Sequence, residues 1–381
     1  MNARVNGIAS ELTQNLVART MQLSQGRNCG CFGFINDQGN VDEATDIVDG
    51  GLSGLPLRTL LSKITSMQGK SLLEGLTQLP ENTVFIVTRP GKTGLITDVS
   101  GVDFFNCPII SIGVKNNGIA GIGIVYPRPE FFDLSTQSEA LNIATLATNT
   151  MDEEKKVLRK NHQLSLKYLD VSEELPEVDV KLSKKYSKEE TDNGSWYLHR
   201  HTVNSMDERL ARSLVDESLR IGQGREVATI GLIDENGHVT GDAKIVAGGI
   251  GYVPSRLLAS SYADITGKSL RKIYRDVIPA NAIIIHTHPG GTGVMHIGDA
   301  NAGPGTWGRP IIAIGHDKDG RIRGATVVEK SDRIFELSDE DETLNNKFFD
   351  AETTEEEASI RNRKFAIAQE FTDLCKSIVL Q

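Results

Sequence analysis

Apolar and polar positions follow two alternating rhythms along this chain. Residues 9–25 and 206–222 carry apolar side chains at the three-to-four spacing of an amphipathic helix. Each is followed by a short strand-like run and a hairpin signal, Asp-Gln-Gly-Asn at 37–40 or Glu-Asn-Gly-His at 235–238. A second helix is expected near 56–68 and 254–266, a buried strand at 83–88 and 281–287, and another apolar strand at 108–114 and 310–316. Residues 136–168 read as one long helix, with a counterpart at 356–380. Strands and helices interleave, so the pattern predicts α/β units, each a mixed sheet flanked by helices.

The same elements occur twice because the sequence itself repeats. At a constant offset of 198, Leu16, Gln25, Gly26, Arg27, Gly33 and Gly39 match Leu214, Gln223, Gly224, Arg225, Gly231 and Gly237. Gly-Lys-Ser-Leu recurs at 69–72 and 267–270. After a one-residue slip, TRPGKTG at 88–94 lies opposite THPGGTG at 287–293, and PIISIG at 108–113 opposite PIIAIG at 310–315. Order kept over so long a stretch marks a tandem duplication. The expected layout is a first copy over 1–169, a charged linker over 170–200, a second copy over 201–338, and an acidic connection with a terminal helix over 339–381. Two such copies form an intramolecular pseudo-dimer.

The chain's 381 residues suit this two-domain layout. Of the net charge of −10, most sits in residues 339–357, where nine acids face one base, Lys347. The remainder is close to neutral and has no basic block, so binding to nucleic acid is not expected. No apolar run is long enough to span a bilayer, and the N-terminus shows no secretory pattern. Four cysteines do not make a disulfide framework, and a cytoplasmic location is expected.

Candidate chemistry is concentrated in NAIIIHTHPGGTGVMHIGDA, residues 281–300. Period-two alternation puts His286 and His288 on one face at the end of an apolar strand. Pro289 and two glycines turn the chain, and Asp299 is placed to return as a carboxylate. Two imidazoles and one carboxylate leave a fourth position for water, as in catalytic zinc sites. Glu226, at the start of the copy's first strand, is the candidate general base.

These residues resemble the JAMM (MPN-plus) metalloproteases and their RadC-like relatives. That pattern is an upstream Glu, then His-x-His-Pro, six residues, Ser, two residues and Asp. His286, His288, Pro289 and Asp299 occupy the matching positions, and Glu226 lies on the matching strand. The resemblance covers roughly 206–330 and, in degraded form, 8–126. It implies a cytidine-deaminase-like α/β fold, a Zn2+ ion, and hydrolysis of peptide or isopeptide bonds by zinc-bound hydroxide. Its substrates would be proteins or peptides, including conjugates of ubiquitin-like modifiers. His296 stands where the family has a Ser that donates a hydrogen bond in the transition state. Three readings follow: an imidazole in the Ser role, a fourth metal ligand that closes the site on a non-catalytic metal-stabilised scaffold, or a different zinc reaction such as deamination. Against the last, no His-x-Glu is paired with Pro-Cys-x-x-Cys.

The first copy acts as an internal control. Val87, Arg89, Ser100 and Asn28 stand opposite His286, His288, Asp299 and Glu226, while the surrounding glycines and apolar frame persist. Residues needed only for folding would have been kept in both copies. Other motifs read as structure. His199 and His201 lack a following Pro and Asp. Cys29 and Cys31 are expected as buried small residues, and so are Cys107 and Cys375. The two Gly-Lys-Ser segments lack the earlier glycine of a phosphate loop.

Overall fold

The computed structural model describes residues 4–381 except 24, 53, 97–100, 117, 184–185, 187–196 and 242. Its two mixed sheets have one strand order. In the first copy the order is Glu173–Glu174, Gly118–Val125, Ile109–Lys115, Thr83–Pro90, Cys29–Ile35, Asn40–Ala44, Gly7–Ala9 and Glu177–Val178. In the second it is Lys376–Ser377, Ile322–Val328, Ile311–His316, Ala282–Pro289, Val227–Ile233, His238–Thr240, Ser205–Met206 and Val379–Leu380. The two outermost strands of each sheet are neighbours in sequence. One short C-terminal segment therefore bonds to both edges and curls the sheet, leaving no long edge for a foreign strand.

Apolar clusters pack on both faces of each sheet, so the central strands are buried throughout rather than alternating. Cys29 and Cys31 are fully buried in one such cluster, where burial pushes the Cys29 thiol up. The Gly-Lys-Ser segments are helix starts: Ser71 and Ser269 accept from the backbone N–H of Glu74 and Lys272 at 3.3 Å. Among the described residues no helix is long and apolar enough to cross a membrane.

Four segments differ from the sequence reading, one of them the end of the helix expected over 356–380, where Lys376–Ser377 and Val379–Leu380 are strands of the second sheet. Residues 173–178, expected in the linker, belong to the first sheet, where the Leu175 N–H donates to the Ile122 carbonyl at 2.9 Å. Strands of two residues are too short to show a period, and their glutamates sit on sheet edges. The long helix of 136–168 is two helices, Pro129–Leu146 and Met151–Asp170, separated by a capping box of Thr150 with Glu153. The acidic connection is also mostly helical. It lies in Asp332–Asp350 and Thr354–Leu374, divided by the equivalent box of Thr353 with Glu356. Ion pairs such as Arg363–Glu340 and Lys364–Asp341 hold this second hairpin together.

Each helical hairpin docks on the other copy. Glu342 accepts from the backbone N–H groups of Arg58 and Thr59 (3.2 and 2.7 Å), at the start of helix Leu57–Leu61. Its repeat-mate Glu139 accepts from those of Arg256 and Leu257 (2.9 and 3.1 Å), at the start of Ser255–Tyr262. Arg58 and Arg256 are themselves buried, Arg58 paired with Asp339 and Arg256 with Asp103. The interface thus has approximate twofold symmetry in its glutamate-to-helix-start contacts, while Thr136 stands where Asp339 does and Arg256 finds its carboxylate in Asp103 instead. A further buried pair, Lys330 with Glu74, joins the copies near Leu198, whose carbonyl accepts from the Lys330 ammonium at 3.0 Å.

Candidate metal centre

The central strand Ala282–Pro289 pairs antiparallel with Val227–Ile233 and parallel with Ile311–His316. His286 lies opposite Ala228, and continuing that register two residues sets Glu226 across from His288. The backbone of Glu226 exchanges hydrogen bonds with Gly248 and Gly249 (2.8 and 2.9 Å). A side chain at Gly248 would place its Cβ 2.5 Å from the Tyr252 carbonyl oxygen, so only glycine permits this approach. After His288 the chain folds back so tightly that a Cβ at Gly315 would lie 2.1 Å from the Gly293 nitrogen. That turn leads to the helical turn Ile297–Ala300, which carries Asp299.

The three candidate ligands converge. His286 Nε2 is 2.9 Å from His288 Nε2 and 3.1 Å from Asp299 Oδ1, and His288 Nε2 is 3.6 Å from the same oxygen. His286 Nδ1 lies 2.8 Å from the Ile312 carbonyl oxygen, which can only accept. Nδ1 therefore carries a proton, and Nε2 is the ring nitrogen turned to the cluster. Two ring nitrogens and a carboxylate oxygen this close repel unless a proton or a cation sits among them. The spacings are of the order of the edges of a tetrahedron with bonds of about 2.0–2.1 Å, and the N, N, O donor set suits zinc. Among the described residues this is the one group of three such side chains with converging ligand atoms.

His296 lies outside that group. Its Nδ1 is 2.9 Å from Asp299 Oδ2, its backbone N–H donates to the same oxygen at 3.1 Å, and its side chain is 70% exposed. Asp299 thus turns one oxygen to the two histidines and the other to His296. In this arrangement His296 holds the outer oxygen of Asp299, as a brace on the carboxylate. Burial raises the Asp299 carboxyl, and the bonds from His286, His288 and His296 outweigh it and hold it well below the usual range. The bond to Asp299 raises His296 in turn. Burial also raises Glu226, against the pull of His286 and His288.

Glu226, His286, His296 and Asp299 line one cavity of about 300 Å³. The equivalent cavity of the first copy, about 570 Å³, is lined by Asn28, Val87 and Arg89 instead, and Ser100 lies outside the described residues. His199 and His201 are not part of either cavity's lining. Comparison of the chain with protein-family models, curated proteins and solved structures found no match. What the site can do is therefore set by its own geometry.

Two features escaped the sequence. The brace from His296 depends on a rotamer at a helix start, which no spacing reveals. The carbonyl of Ile312 comes from a neighbouring strand, for which the repeated Pro-Ile-Ile motif was the available signal.

Proposed function

We propose that the second copy is a JAMM-type zinc hydrolase that cleaves an amide bond of a protein or peptide, as a peptidase or isopeptidase. The observation that carries this reading is the convergence of the ligand atoms of His286, His288 and Asp299 beside a cavity that His286 and Asp299 line together with a buried carboxylate, Glu226. A zinc ion held by those three residues would supply Lewis acidity toward a carbonyl oxygen and acidify a water at neutral pH.

The chain's own groups do the rest. His286 is fixed in tautomer by Ile312, and Asp299 is fixed in orientation by His296, so the donor set is organised in advance. Glu226, with its proton affinity raised by burial, accepts a proton from the attacking water and delivers it to the leaving nitrogen. The water oxygen joins the carbonyl carbon, the C–N bond breaks, and the amine departs with that proton. The first copy, with none of these side chains at its cavity, serves as a docking and support domain.

Metal analysis of wild type beside His286→Ala/His288→Ala tests the centre. The expected result is about one zinc per chain, lost in the variant. Glu226→Gln should keep the metal and lose about 10²–10⁴-fold in turnover of any amide substrate. Wild type that takes up no zinc, or full turnover in Glu226→Gln, would overturn the reading.

A further inference from the structure

The cavity beside the ligand cluster is chemically divided. Glu226, His286, His296 and Asp299 belong to its lining, and every other side chain lining it is uncharged. Its floor is the stacked pair Tyr274 and Trp307, with ring centroids 3.9 Å apart and planes 13° from parallel. Leu258, Ile284 and Val253 form part of the wall. The Tyr274 ring is fully buried, its hydroxyl donating to the Ser255 carbonyl at 3.1 Å, and it supports Trp307 by stacking rather than offering a polar group to the cavity.

This floor is built with unusual care. Arg309, 1% exposed, donates to the carbonyls of Trp307, Tyr274 and Ile278 (3.2, 2.7 and 2.8 Å) and lies over the Tyr274 ring. One buried guanidinium therefore fixes the backbones that present both aromatics. Each aromatic also sits on a π-helical turn, Tyr274 in Ile273–Val277 and Trp307 in Asn301–Trp307. Such turns are frequent at functional sites.

The two turns coincide with the places where the copies differ in length. From the leucine of Gly-Lys-Ser-Leu to the next proline, the second copy is one residue longer (270–279 against 72–80). From Gly293 to Pro310 it is three residues longer than from Gly94 to Pro108. The shorter first-copy segments contain neither Tyr nor Trp, form ordinary helical turns at Leu72–Leu76 and Val102–Phe105, and have Cys107 where the second copy has Arg309. Extra length, the Tyr274–Trp307 stack and the ligand cluster thus belong to the same copy, while the first copy's cavity is lined by Phe85, Phe104 and Phe105.

Building on the hydrolase reading, we infer that this cavity receives a bulky, uncharged apolar side chain adjacent to the scissile amide, making the enzyme selective for aromatic or large aliphatic residues there. The volume is at the lower limit of ligand pockets, enough for one side chain rather than a length of peptide. A carboxylate side chain would lose its hydration against Trp307 and Ile284 and meet Glu226 and Asp299, which repel it, while a lysine or arginine would reach those carboxylates only by leaving the apolar wall.

Two measurements on the full chain test this separately from the hydrolase reading. In the first, zinc-loaded protein is given a defined peptide mixture that varies the residues flanking each amide, and cleavage sites are read by mass spectrometry. Cleavage beside Phe, Tyr, Trp, Leu or Met should exceed cleavage beside Gly, Asp or Lys by about 100-fold or more. In the second, N-acetyl-L-phenylalaninamide and N-acetylglycinamide are titrated while Trp307 fluorescence is followed in a Trp196→Phe background, which leaves Trp307 as the sole tryptophan. A saturable response to the phenylalanine amide alone is expected. Val253→Phe, which fills the cavity without touching its floor and keeps Trp307 the sole tryptophan, should abolish that response and the cleavage preference while retaining zinc. Selective binding without any cleavage would reject the hydrolase and keep the pocket. Cleavage indifferent to the flanking side chain, or equal responses to both amides, would overturn the pocket.

Discussion

His296 and Glu226 show how a side chain's role depends on which atom it faces. The imidazole of His296 is bound to the outer oxygen of Asp299, while the inner oxygen faces His286 and His288. Partners that orient a ligand from behind typically contribute 10–100-fold in metal affinity. His296→Ala should therefore weaken zinc binding by about that factor without abolishing it, measured by competition with a chromogenic chelator. An unchanged affinity would remove the bracing role. Glu226 is buried enough to raise its carboxyl but reaches the cavity, which suits proton transfer more than ligation.

Among elements, the decisive contacts are helix starts of one copy capped by carboxylates of the other. Arg256 and Asp103 are 1% and 3% exposed and 2.7 Å apart. Removing one partner strands the other's charge away from water, so Arg256→Ala should cost about 3–5 kcal/mol in urea unfolding. The buried carboxyl of Glu139 behaves differently. Burial pushes it up to about 7, against the backbone N–H groups of Leu257 and Arg256 that draw it down. A carboxyl whose affinity for protons rises on folding favours the folded state when protonated. Its contribution is complete below about 4.5 and fades as pH rises through about 7. Burial raises Glu342 too, in the same direction. Glu139→Gln keeps an acceptor oxygen for the helix start and removes the charge. It should be more stable than wild type at pH 8 by about 1–2 kcal/mol, after allowance for partial exposure, and the gain should vanish near pH 4. Thermal melts at the two pH values would show it.

At the scale of the whole molecule, the copies are mutually dependent. Phe104 of the first copy packs edge-on against Trp307, with centroids 5.7 Å apart, and helix Pro129–Leu146 covers the start of Ser255–Tyr262, which borders the cavity. A fragment of residues 201–381 would expose Arg256, Leu270 and Trp307 surfaces that the first copy now covers. It should aggregate or bind zinc more weakly than the full chain, and co-expression with 1–186 should restore a soluble complex. A stable, fully zinc-competent fragment would contradict this dependence.

Local physics made much of this legible in one dimension. Recurrent identities located the copies, apolar runs marked the central strands, and the His-x-His spacing put two imidazoles on one face because strand side chains alternate. Residue type alone made His286, His288, Asp299 and Glu226 candidates, and their loss from the first copy set them apart from the frame. Other features involve partners far apart in sequence or elements too short to carry a period. The strands that close each sheet are two residues long, so residues 173–178 read as linker. The acids of 339–357 read as a solvated stretch until Asp339, Glu342 and Asp350 were seen to meet Arg58, Thr59 and Arg27 of the first copy. Charge patterning reports that a segment needs water or a counter-charge, and only the tertiary structure decides which it finds. The aromatic floor likewise depends on two inserted turns whose side chains meet only after the chain has folded, because stacking between residues 274 and 307 leaves no trace in the spacing of either.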